Sequence, residues 1–521
     1  MSDLVPFLLW LPLLGAGLTL AVGGRVRLQR VISFTVSTLV LVYGITMLTL
    51  TSDGSVVVEQ VAGWAGGIAI PFAVDTLSAL MITVAAVLVL TCTAFAVFTG
   101  DDEDRYFLPL VLVLSGGVYG AFVTADLFNL FVMIEVALIP SYVLITRRGS
   151  ASQMGAGRVY LTVNLLVSTV LLAGVGLVYG VTGTVNLGEL AGAATESVGA
   201  ALAGGVVLVA LGAKAALVPV HSWLPRTYPF ASVATTALLS GLLTKIGVYA
   251  IFRVYAVMFS GDERLQTPWL VILLITMVVS ALGALGESAM RPILVFGMSS
   301  QVGYVLLGIG FFGELGLQAG IFYLVHNILT KAALLLSCGA VEHEAGTGEL
   351  SRLGGVARRE PLLALAFIAA ALSLVGIPPF SGFVAKFSVA RAAAIEGEWI
   401  AVTLVVAVSL LTLLAMLKIW NGVFWGADPE DEAGHSFTPG SSGAVPDQTD
   451  PMSSTLLRRA KVAITEGPPG GMPRGLILPG LALAVLSLAV GLGADVLLGL
   501  TGTAAQGLVD PSAYVSAVTG R

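Results

Sequence analysis

Residues 214–229 read KAALVPVHSWLPRTYP and follow directly on an apolar run that begins near residue 198. Lys214 lies within apolar surroundings, and two prolines soon after it interrupt any helix, because proline lacks a backbone N–H and clashes with the preceding turn. A second stretch of the same kind, GIPPFSGFVAKF over residues 376–387, carries two prolines and Lys386. Interrupted helices in matching places of two halves are typical of transporters, since freed backbone groups are tolerated only beside a protein-lined or wet cavity.

The composition sets the class of protein. The chain is 57% hydrophobic and 11% charged, with a mean hydropathy of +0.96, whereas a soluble domain carries roughly 25% charged residues. We therefore expect an integral membrane protein. The net charge of −6 and the isoelectric point near 5.3 argue against nucleic acid as a partner. Cys92 and Cys338 lie in separate apolar segments, which argues against disulfides and thiolate-ligated metals.

A membrane-spanning helix needs about 20 apolar residues, and segmentation on that length predicts an all-α fold with fourteen transmembrane helices. The predicted segments are 4–22, 29–50, 72–99, 107–124, 127–146, 153–181, 198–219, 229–259, 267–287, 291–313, 315–341, 361–391, 398–426 and 475–500. The first is interpreted as a retained helix, because its arginines follow the apolar run instead of preceding it as in a secretory signal. If the N-terminus lies outside, most of the arginines fall in inward loops. Both termini are therefore expected on the outer side of the membrane.

The lysine positions indicate an internal repeat. Lys214 and Lys386 are 172 positions apart, and Lys245 and Lys418 are 173 apart, although the prolines do not keep this offset. Segments 4–8 and 9–13 are then two five-helix repeats, and because five is odd, they are inverted relative to each other in the membrane. The first predicted domain, 1–106, contains segments 1–3 and an outward β-hairpin in 55–67. Each repeat forms one domain, 107–260 and 261–426. A flexible cytoplasmic loop is predicted over 427–473, and 474–521 holds the last helix and an outward tail.

Five of the six lysines lie in apolar segments, at positions 214, 245, 331, 386 and 418. An ammonium near the bilayer centre costs at least about 2.5 to 3.5 kcal/mol on insertion scales, and lysine, unlike arginine, can release its proton when it is desolvated. These five lysines therefore predict proton transfer along a row of buried amines. Any single lysine has a structural alternative, an amine that caps a helix end. Lys418, near the end of its segment, is also placed to snorkel to the surface.

Glu135 lies well inside the apolar stretch DLFNLFVMIEVALIP, with no cation close to it in sequence. An intramembrane carboxylate is expected to pair with a cation from another helix, and Lys214 is the natural candidate. The alternative is a neutral carboxyl that a neighbouring helix satisfies. Making and breaking the pair would then gate whether Lys214 keeps its proton.

Between isolated lysines a proton needs carriers of intermediate affinity. His326 lies five residues before Lys331 and titrates in the right range. Ser299, Ser300 and Gln301 are candidates for ordering bridging water, although serine often bonds only to its own helix.

The first proline break is followed by His221 and Trp223. His221 is a candidate for the point where protons enter the protein. Trp223 is interpreted, together with Tyr228, as part of an aromatic belt at the membrane interface.

Several motifs of enzymes are missing from the sequence. It contains no GxxxxGK[ST] for a nucleotide phosphate and no GxGxxG after a strand for a nicotinamide cofactor. With four histidines and no carboxylate cluster, no fixed metal site is expected. We expect no cofactor and no catalytic activity, and energy that comes from ion gradients or partner proteins.

Five stretches resemble a known family, the antiporter-like subunits shared by respiratory complex I and the Mrp multisubunit cation/proton antiporters. They are DLFNLFVMIEVALIPSYVL, KAALVPVHSWLPRTYP, GLLTKIGVYAIFRVY, HNILTKAALLL and GIPPFSGFVAKF. The likeness extends over segments 2 to 13, and the D-type subunits of Mrp complexes are the most similar. It implies a fourteen-helix fold with two inverted five-helix units, each with a broken helix.

The resemblance also implies roles for individual residues. Glu135 and Lys214 correspond to a gating ion pair, and Lys245 to the next relay. His326 and Lys331 correspond to the central connection and Lys386 to the terminal protonatable group.

Two functions stay open on this resemblance. The first is a proton-translocating subunit of an Mrp-type Na⁺/H⁺ antiporter, whose partners are the A, B, C, E, F and G subunits, membrane lipid, protons and Na⁺. The second is a proton-pumping membrane-arm subunit of complex I, driven by quinone chemistry elsewhere. A self-sufficient antiporter is disfavoured, because no carboxylate-rich sodium site is evident near the helix breaks.

Overall fold

The computed structural model describes residues 2–63, 69–425 and 471–520, and most of them are helical. The helices are α1 Phe7–Ala21, α2 Val26–Leu50, α3 Thr76–Thr99, α4 Phe107–Val123, α5 Leu127–Thr146, α6 Ala151–Thr182, α7 Ala193–Glu196, α8 Val198–Lys214, α9 Val233–Phe259, α10 Glu263–Gly286, α11 Met290–Gly310, α12 Glu314–Ala345, α13 Val356–Arg359, α14 Pro361–Val375, α15 Ser381–Ile395, α16 Trp399–Ile419, α17 Arg474–Leu492, α18 Ala494–Val509 and α19 Ser512–Thr519. A π-helical turn, Trp420–Trp425, continues α16.

Residues with short polar side chains precede and cap several of these helices. Asp75 precedes α3 and accepts a hydrogen bond from the Ser78 amide at 2.9 Å. Asp126 precedes α5 and accepts one from the Asn129 amide at 2.7 Å. The first amides of a helix have no partner within it, so a side-chain acceptor at this position stabilises the end by about 1 kcal/mol.

Ten of the described helices are long and apolar enough to cross a membrane, and five further apolar helices have 10–17 residues. Each of the fourteen predicted segments overlaps one of these fifteen helices, except 475–500, which overlaps two. A mostly helical membrane protein is therefore confirmed, while the number of spanning helices and the inverted repeats stay predictions.

Helices α9 and α12 form the centre of the protein. Their most apolar windows are completely buried, whereas those of α2 and α6 are 33% and 39% buried. These two central helices have lower mean hydropathies, 1.6 and 1.5, than α2 and α6, with 2.0 and 2.2, because ionisable side chains in a membrane protein face the interior of the bundle. On the outer helices, large apolar side chains such as Leu39 and Leu166 point away from the protein, as a lipid-facing surface requires.

Two helices are broken where the sequence places prolines. α8 ends at Lys214, and Ala216 then adopts a left-handed backbone with φ of 62°. The second break separates α14 from α15, so the predicted segment 361–391 forms two helices and not one. Each break contains a cis proline, Pro219 in the first and Pro379 in the second.

The C-terminal part differs from the prediction of one helix and a tail. The predicted segment 475–500 is divided at Gly493, and α18 and α19 follow α17 where a tail is predicted. α18 packs on α12 and α3, and Gln318 of α12 donates a hydrogen bond to the carbonyl of Leu498 at 2.9 Å. Threonine, glycine and glutamine lower the hydropathy of this stretch, so segmentation on apolar length ends too early.

A two-stranded antiparallel sheet lies at one end of the bundle. Strand β1, Val57–Gln60, falls within the predicted hairpin segment 55–67, but its partner β2, Pro71–Val74, follows that segment. The side chain of Gln60 donates a hydrogen bond to the carbonyl of Val518 at 3.0 Å, which joins α19 to the sheet. The predicted loop 427–473 lies almost wholly outside the described residues.

Candidate functional site

Glu135 and Lys214 lie close together, with a third residue between them. The Lys214 ammonium is 3.6 Å from Glu135 Oε1, and it donates a hydrogen bond of 2.6 Å to the hydroxyl of Ser168 on α6. Ser168 in turn donates to Glu135 Oε1. The Lys214 side chain is 5% exposed and that of Glu135 is 26% exposed. The three side chains thus connect α5, α6 and α8 through a bridged ion pair.

The break after α8 leaves backbone groups that other parts of the chain satisfy. The indole of Trp223 donates to the carbonyl of Ala213 at 3.1 Å, and the amide of Val218 donates to the hydroxyl of Thr276 on α10 at 3.1 Å. Because buried backbone groups must be paired, these two contacts allow the helix to end inside the bundle.

Trp223 is therefore part of the interior, and the predicted aromatic belt is wrong for this residue. Trp223 is 4% exposed and Tyr228 is fully buried. Both rings pack against Tyr160 of α6, with centroid distances of 5.7 and 6.2 Å. After the break the chain turns back into the bundle, and these aromatic residues are therefore buried.

A small cavity adjoins the ion pair. It has a volume of about 10 Å³, and its lining includes Lys214, Asn164 and the α9 residues Leu243, Ile246 and Gly247. This volume is on the order of what one water molecule needs. The cavity therefore reaches α9 through these three residues, and Lys245 is not among the residues that line it.

Lys245 and Lys331 occupy the two central helices, α9 and α12. Each residue is 1% exposed. The Lys245 ammonium has no hydrogen-bond partner among the described residues, whereas that of Lys331 donates to the carbonyl of Leu294 at 3.1 Å. Two buried amines with so few partners depend on water or on loss of the proton, because an unpaired buried charge is costly.

The three predicted polar residues of α11, Ser299, Ser300 and Gln301, differ in their contacts. Ser300 and Gln301 line a second cavity of about 10 Å³ together with Lys331. Ser300 also donates to the carbonyl of Met277 at 2.9 Å, and Gln301 accepts from the hydroxyl of Tyr323 at 2.5 Å. The Ser299 hydroxyl is buried without a partner in the described part of the chain.

His326 is completely buried beside hydroxyl groups that sequence reasoning missed. Its Nδ1 lies 2.8 Å from the hydroxyl of Ser381 and 3.2 Å from that of Thr330. Ser373 and Ser487 continue the group at 2.9 Å from each other. Serine and threonine are common in membrane helices, so their types alone did not mark these four positions.

Lys386 lies at the second helix break. Its ammonium donates a hydrogen bond of 2.9 Å to the carbonyl of Val375, the last residue of α14. It also lies 5.2 Å from the ring centroid of Tyr304. A cation is favourable at a helix C-terminus, where free carbonyls point outward. The broken helix thus supplies the partner that makes a buried lysine tolerable.

Lys418 and His221 are less closely tied to this row. The Lys418 ammonium donates to the carbonyls of Leu285 and Glu287 at 2.8 and 2.6 Å, at the C-terminus of α10. It therefore caps a helix end and does not continue the row. His221 is half-buried in the turn after the first break, and its Nδ1 has no hydrogen-bond partner among the described residues.

Sequence reasoning also missed a second buried ion pair. Arg253 of α9 is 3% exposed and lies 2.7 Å from the carboxylate of Asp75. The ring of Tyr514 on α19 covers the guanidinium at 4.4 Å. The arginine in the apolar run YAIFRVY was the available signal, since a buried arginine requires a counter-charge.

Comparison with known proteins agrees with this architecture. A sequence profile described as NADH:quinone oxidoreductase/Mrp antiporter, TM, matches residues 124–412. The chain is 32% identical to the D-type subunit of the Na(+)/H(+) antiporter of Alkalihalophilus pseudofirmus over 99% of each chain. One chain in the structure of the Mrp complex from Dietzia sp. DQ12-45-1b is 48% identical to this protein. The two superpose with a TM-score of 0.90, and the match covers 100% of this chain and 99% of that one. A chain of respiratory complex I from Thermus thermophilus is 25% identical with a TM-score of 0.69 and coverage of 94% and 98%.

The broken helices and the buried lysines place the protein among ion-transporting membrane subunits. The chain belongs to the NADH:quinone oxidoreductase/Mrp antiporter transmembrane family. The resemblance to the D-type subunits of Mrp antiporters is thereby confirmed.

Proposed function

We propose that this chain is the proton-translocating subunit of a multisubunit Na⁺/H⁺ antiporter. Protons move along a buried row that begins at the Glu135 and Lys214 pair and continues through Lys245 and Lys331. The row ends at Lys386, and His326 serves as the connection between Lys331 and Lys386. The chain is a transporter subunit and carries out no catalytic conversion of a substrate.

The observation that carries the proposal is the bridged ion pair. Lys214 bonds Ser168 at 2.6 Å and lies 3.6 Å from Glu135, so the carboxylate and the ammonium are close but not in direct hydrogen-bond contact. A small movement of the side chains separates them further. Lys214 without its counter-charge then gives its proton to the neutral amine of Lys245, and the pair forms again when Lys214 takes up the next proton.

The second half of the row depends on the other break. Lys331 faces a cavity with Ser300 and Gln301, which gives room for water between the amine and polar groups of α11. Lys386 bonds the end of α14. Lys331 thus has a cavity with polar groups beside it and Lys386 has a helix end, and a proton can rest at either amine without an uncompensated charge in an apolar environment.

The comparisons favour an Mrp-type complex over respiratory complex I. The chain is 48% identical to a chain of the Dietzia Mrp complex and 25% identical to a chain of Thermus complex I. We therefore assign as partners the A, B, C, E, F and G subunits of an Mrp complex, in a bacterial plasma membrane. Fourteen spanning helices, two inverted five-helix repeats and outward termini complete the proposed topology.

The proposal is tested in everted membrane vesicles that contain the whole complex. Proton movement in response to added Na⁺ is recorded with a pH-sensitive dye, and assembly is checked by co-purification of the partner subunits. We expect Lys214→Ala and Glu135→Ala to abolish Na⁺-dependent proton exchange while the complex still assembles.

Lys418→Ala is the matched control, because it removes an intramembrane lysine that caps a helix and lies outside the row. It should retain exchange per assembled complex. Normal exchange in an assembled Lys214→Ala complex contradicts the gating role. Proton pumping that follows NADH oxidation and not Na⁺ favours the complex I alternative.

A further inference from the structure

Four hydroxyl side chains form one buried cluster at the second helix break. They come from four different helices, and each is fully buried: Thr330 of α12, Ser373 of α14, Ser381 of α15 and Ser487 of α17. Ser487 is the hub, because its oxygen lies 3.0 Å from that of Thr330 and 2.9 Å from those of Ser373 and Ser381.

The cluster surrounds one nitrogen of a histidine. His326 Nδ1 contacts Ser381 at 2.8 Å and Thr330 at 3.2 Å, so Nδ1, Ser381, Ser487 and Thr330 form a closed ring of contacts. The other nitrogen, Nε2, is buried and has no hydrogen-bond partner among the described residues. The two nitrogens of His326 therefore lie in very different environments.

Hydrogen counting shows what such a ring can do. A hydroxyl donates one hydrogen, accepts up to two and rotates freely. When Nδ1 accepts, Ser381 donates to it, Ser487 donates to Ser381, and Thr330 donates to Ser487. When Nδ1 carries a hydrogen, it donates to Ser381, and the ring runs in the opposite direction. The same oxygen positions thus serve both forms of the imidazole.

We propose that Ser487 is a positioning residue for proton transfer at His326, an inference that rests on the proposed function. Ser487 holds the hydroxyl ring that lets His326 Nδ1 change between donor and acceptor while the heavy atoms stay fixed. The transported proton is taken up at Nδ1 of the tautomer whose hydrogen is on Nε2, which turns Nδ1 from an acceptor into a donor. Release of the Nε2 hydrogen from the resulting imidazolium then leaves the other neutral tautomer, so one proton enters and one leaves. Since a packed interior resists displacement, a ring that adapts by hydroxyl rotation allows the histidine to change its protonation state inside a rigid bundle.

Ser487 lies outside the region that the family profile matches, residues 124–412. α17 follows the predicted cytoplasmic loop, and it packs against α12, α14 and α15. The site at the second break is therefore completed by a helix from the C-terminal part of the chain. This assigns α17 a part in transport in addition to packing.

Two other side chains lie near His326, but they do not take the place of the hydroxyl ring. Lys386 of α15 is the charged side chain that acts on it electrostatically. Tyr323, on the same helix, presents its ring edge-on at a centroid distance of 5.6 Å, and its hydroxyl is committed to Gln301. The contacts of Nδ1 are with the hydroxyls of Ser381 and Thr330.

The test uses the purified complex and two readouts. Infrared difference spectra between the wild type and His326→Gln, recorded at stepped pH, isolate the ring bands of His326 and follow its tautomer. We expect Ser487→Ala to hold His326 in one tautomer and to abolish the pH-dependent change of these bands. Na⁺-dependent exchange should fall about three- to tenfold, the factor that corresponds to one net hydrogen bond.

The matched control is Ser337→Ala. Ser337 also lies between α12 and α17, where its hydroxyl approaches Gly480, but that hydroxyl is buried and has no hydrogen-bond partner among the described residues. Its removal should leave both readouts unchanged. Thr330→Val is a second variant of the ring and should reproduce the spectrum of Ser487→Ala, whereas Thr330→Ser should restore the wild-type spectrum.

The two proposals fail in distinguishable ways. Unchanged His326 bands in an assembled Ser487→Ala complex overturn the role of Ser487, even if exchange is slower. Altered bands in a complex that shows no Na⁺-dependent exchange in its wild-type form support the hydroxyl ring and overturn the antiport function.

Discussion

The ammonium of Lys214 lies closer to the hydroxyl of Ser168, at 2.6 Å, than to the carboxylate with which it pairs, at 3.6 Å. The serine stands between the two charges and bonds both. A bridge of this kind weakens the direct attraction but keeps each charged atom hydrogen-bonded. It suits a pair that must open and close repeatedly.

Ser168→Ala should therefore slow Na⁺-dependent exchange without preventing assembly. The loss of one bridging hydroxyl predicts a decrease of about three- to tenfold, measured as initial rate in everted vesicles. Thr169→Ala is the control, because Thr169 is exposed on the neighbouring position of α6 and bonds only the carbonyl of Leu165. Equal rates in the two variants contradict the bridging role.

Lys386→Arg should abolish exchange although it keeps the positive charge. Arginine holds its proton under all working conditions, so the variant retains a cation at the end of α14 and loses proton release. Lys418→Arg is the matched substitution at a lysine that only caps a helix, and it should remain active. Exchange at the wild-type rate in Lys386→Arg would mean that this position supplies charge alone.

Lys418→Ala should lower stability more than it lowers transport. The ammonium bonds two carbonyls at the end of α10, and hydrogen bonds to a charged group contribute about 1.5 to 3 kcal/mol each when they are lost. Thermal unfolding of the purified complex should therefore shift to lower temperature. Exchange per assembled complex, measured at low temperature, should stay within about twofold of the wild-type rate. That limit corresponds to a change of less than about 0.4 kcal/mol in the activation barrier.

Arg253→Gln should destabilise the protein by about 3 to 5 kcal/mol, because it leaves the Asp75 carboxylate without its buried partner. Asp75→Asn keeps a side chain that caps α3 and removes only the charge. The double variant should be less destabilised than the sum of the two single variants, as measured by thermal or denaturant unfolding. Additive effects would show that the two residues act independently.

Much of this architecture follows from chemistry that is visible in the sequence. Long apolar runs predict the helices, and the prolines near Lys214 and Lys386 predict the breaks, because proline removes a backbone donor and clashes with the preceding turn. The nearness of Glu135 and Lys214 follows from the cost of a lone charge in a membrane. These features depend on a residue and its immediate environment, so sequence alone carries them.

Other features depend on which helix faces come together. Ser168, Ser373, Ser381 and Ser487 are ordinary membrane-helix serines until the fold brings them to a charged or imidazole group. Trp223 has the sequence signature of an interfacial residue, but the chain after the break turns inward and buries it. The role of Lys418 is likewise decided by the end of α10, which is more than 130 residues away in sequence.

The attachment of α19 to the sheet has a practical consequence. Its Tyr514 covers the Arg253 guanidinium, and Gln60 fastens the helix in place through the carbonyl of Val518. Shortening the chain by its last ten residues would open this charged pair to water, so a truncated protein is a poor starting point for purification. An affinity tag that replaced any part of α19 would remove this cover.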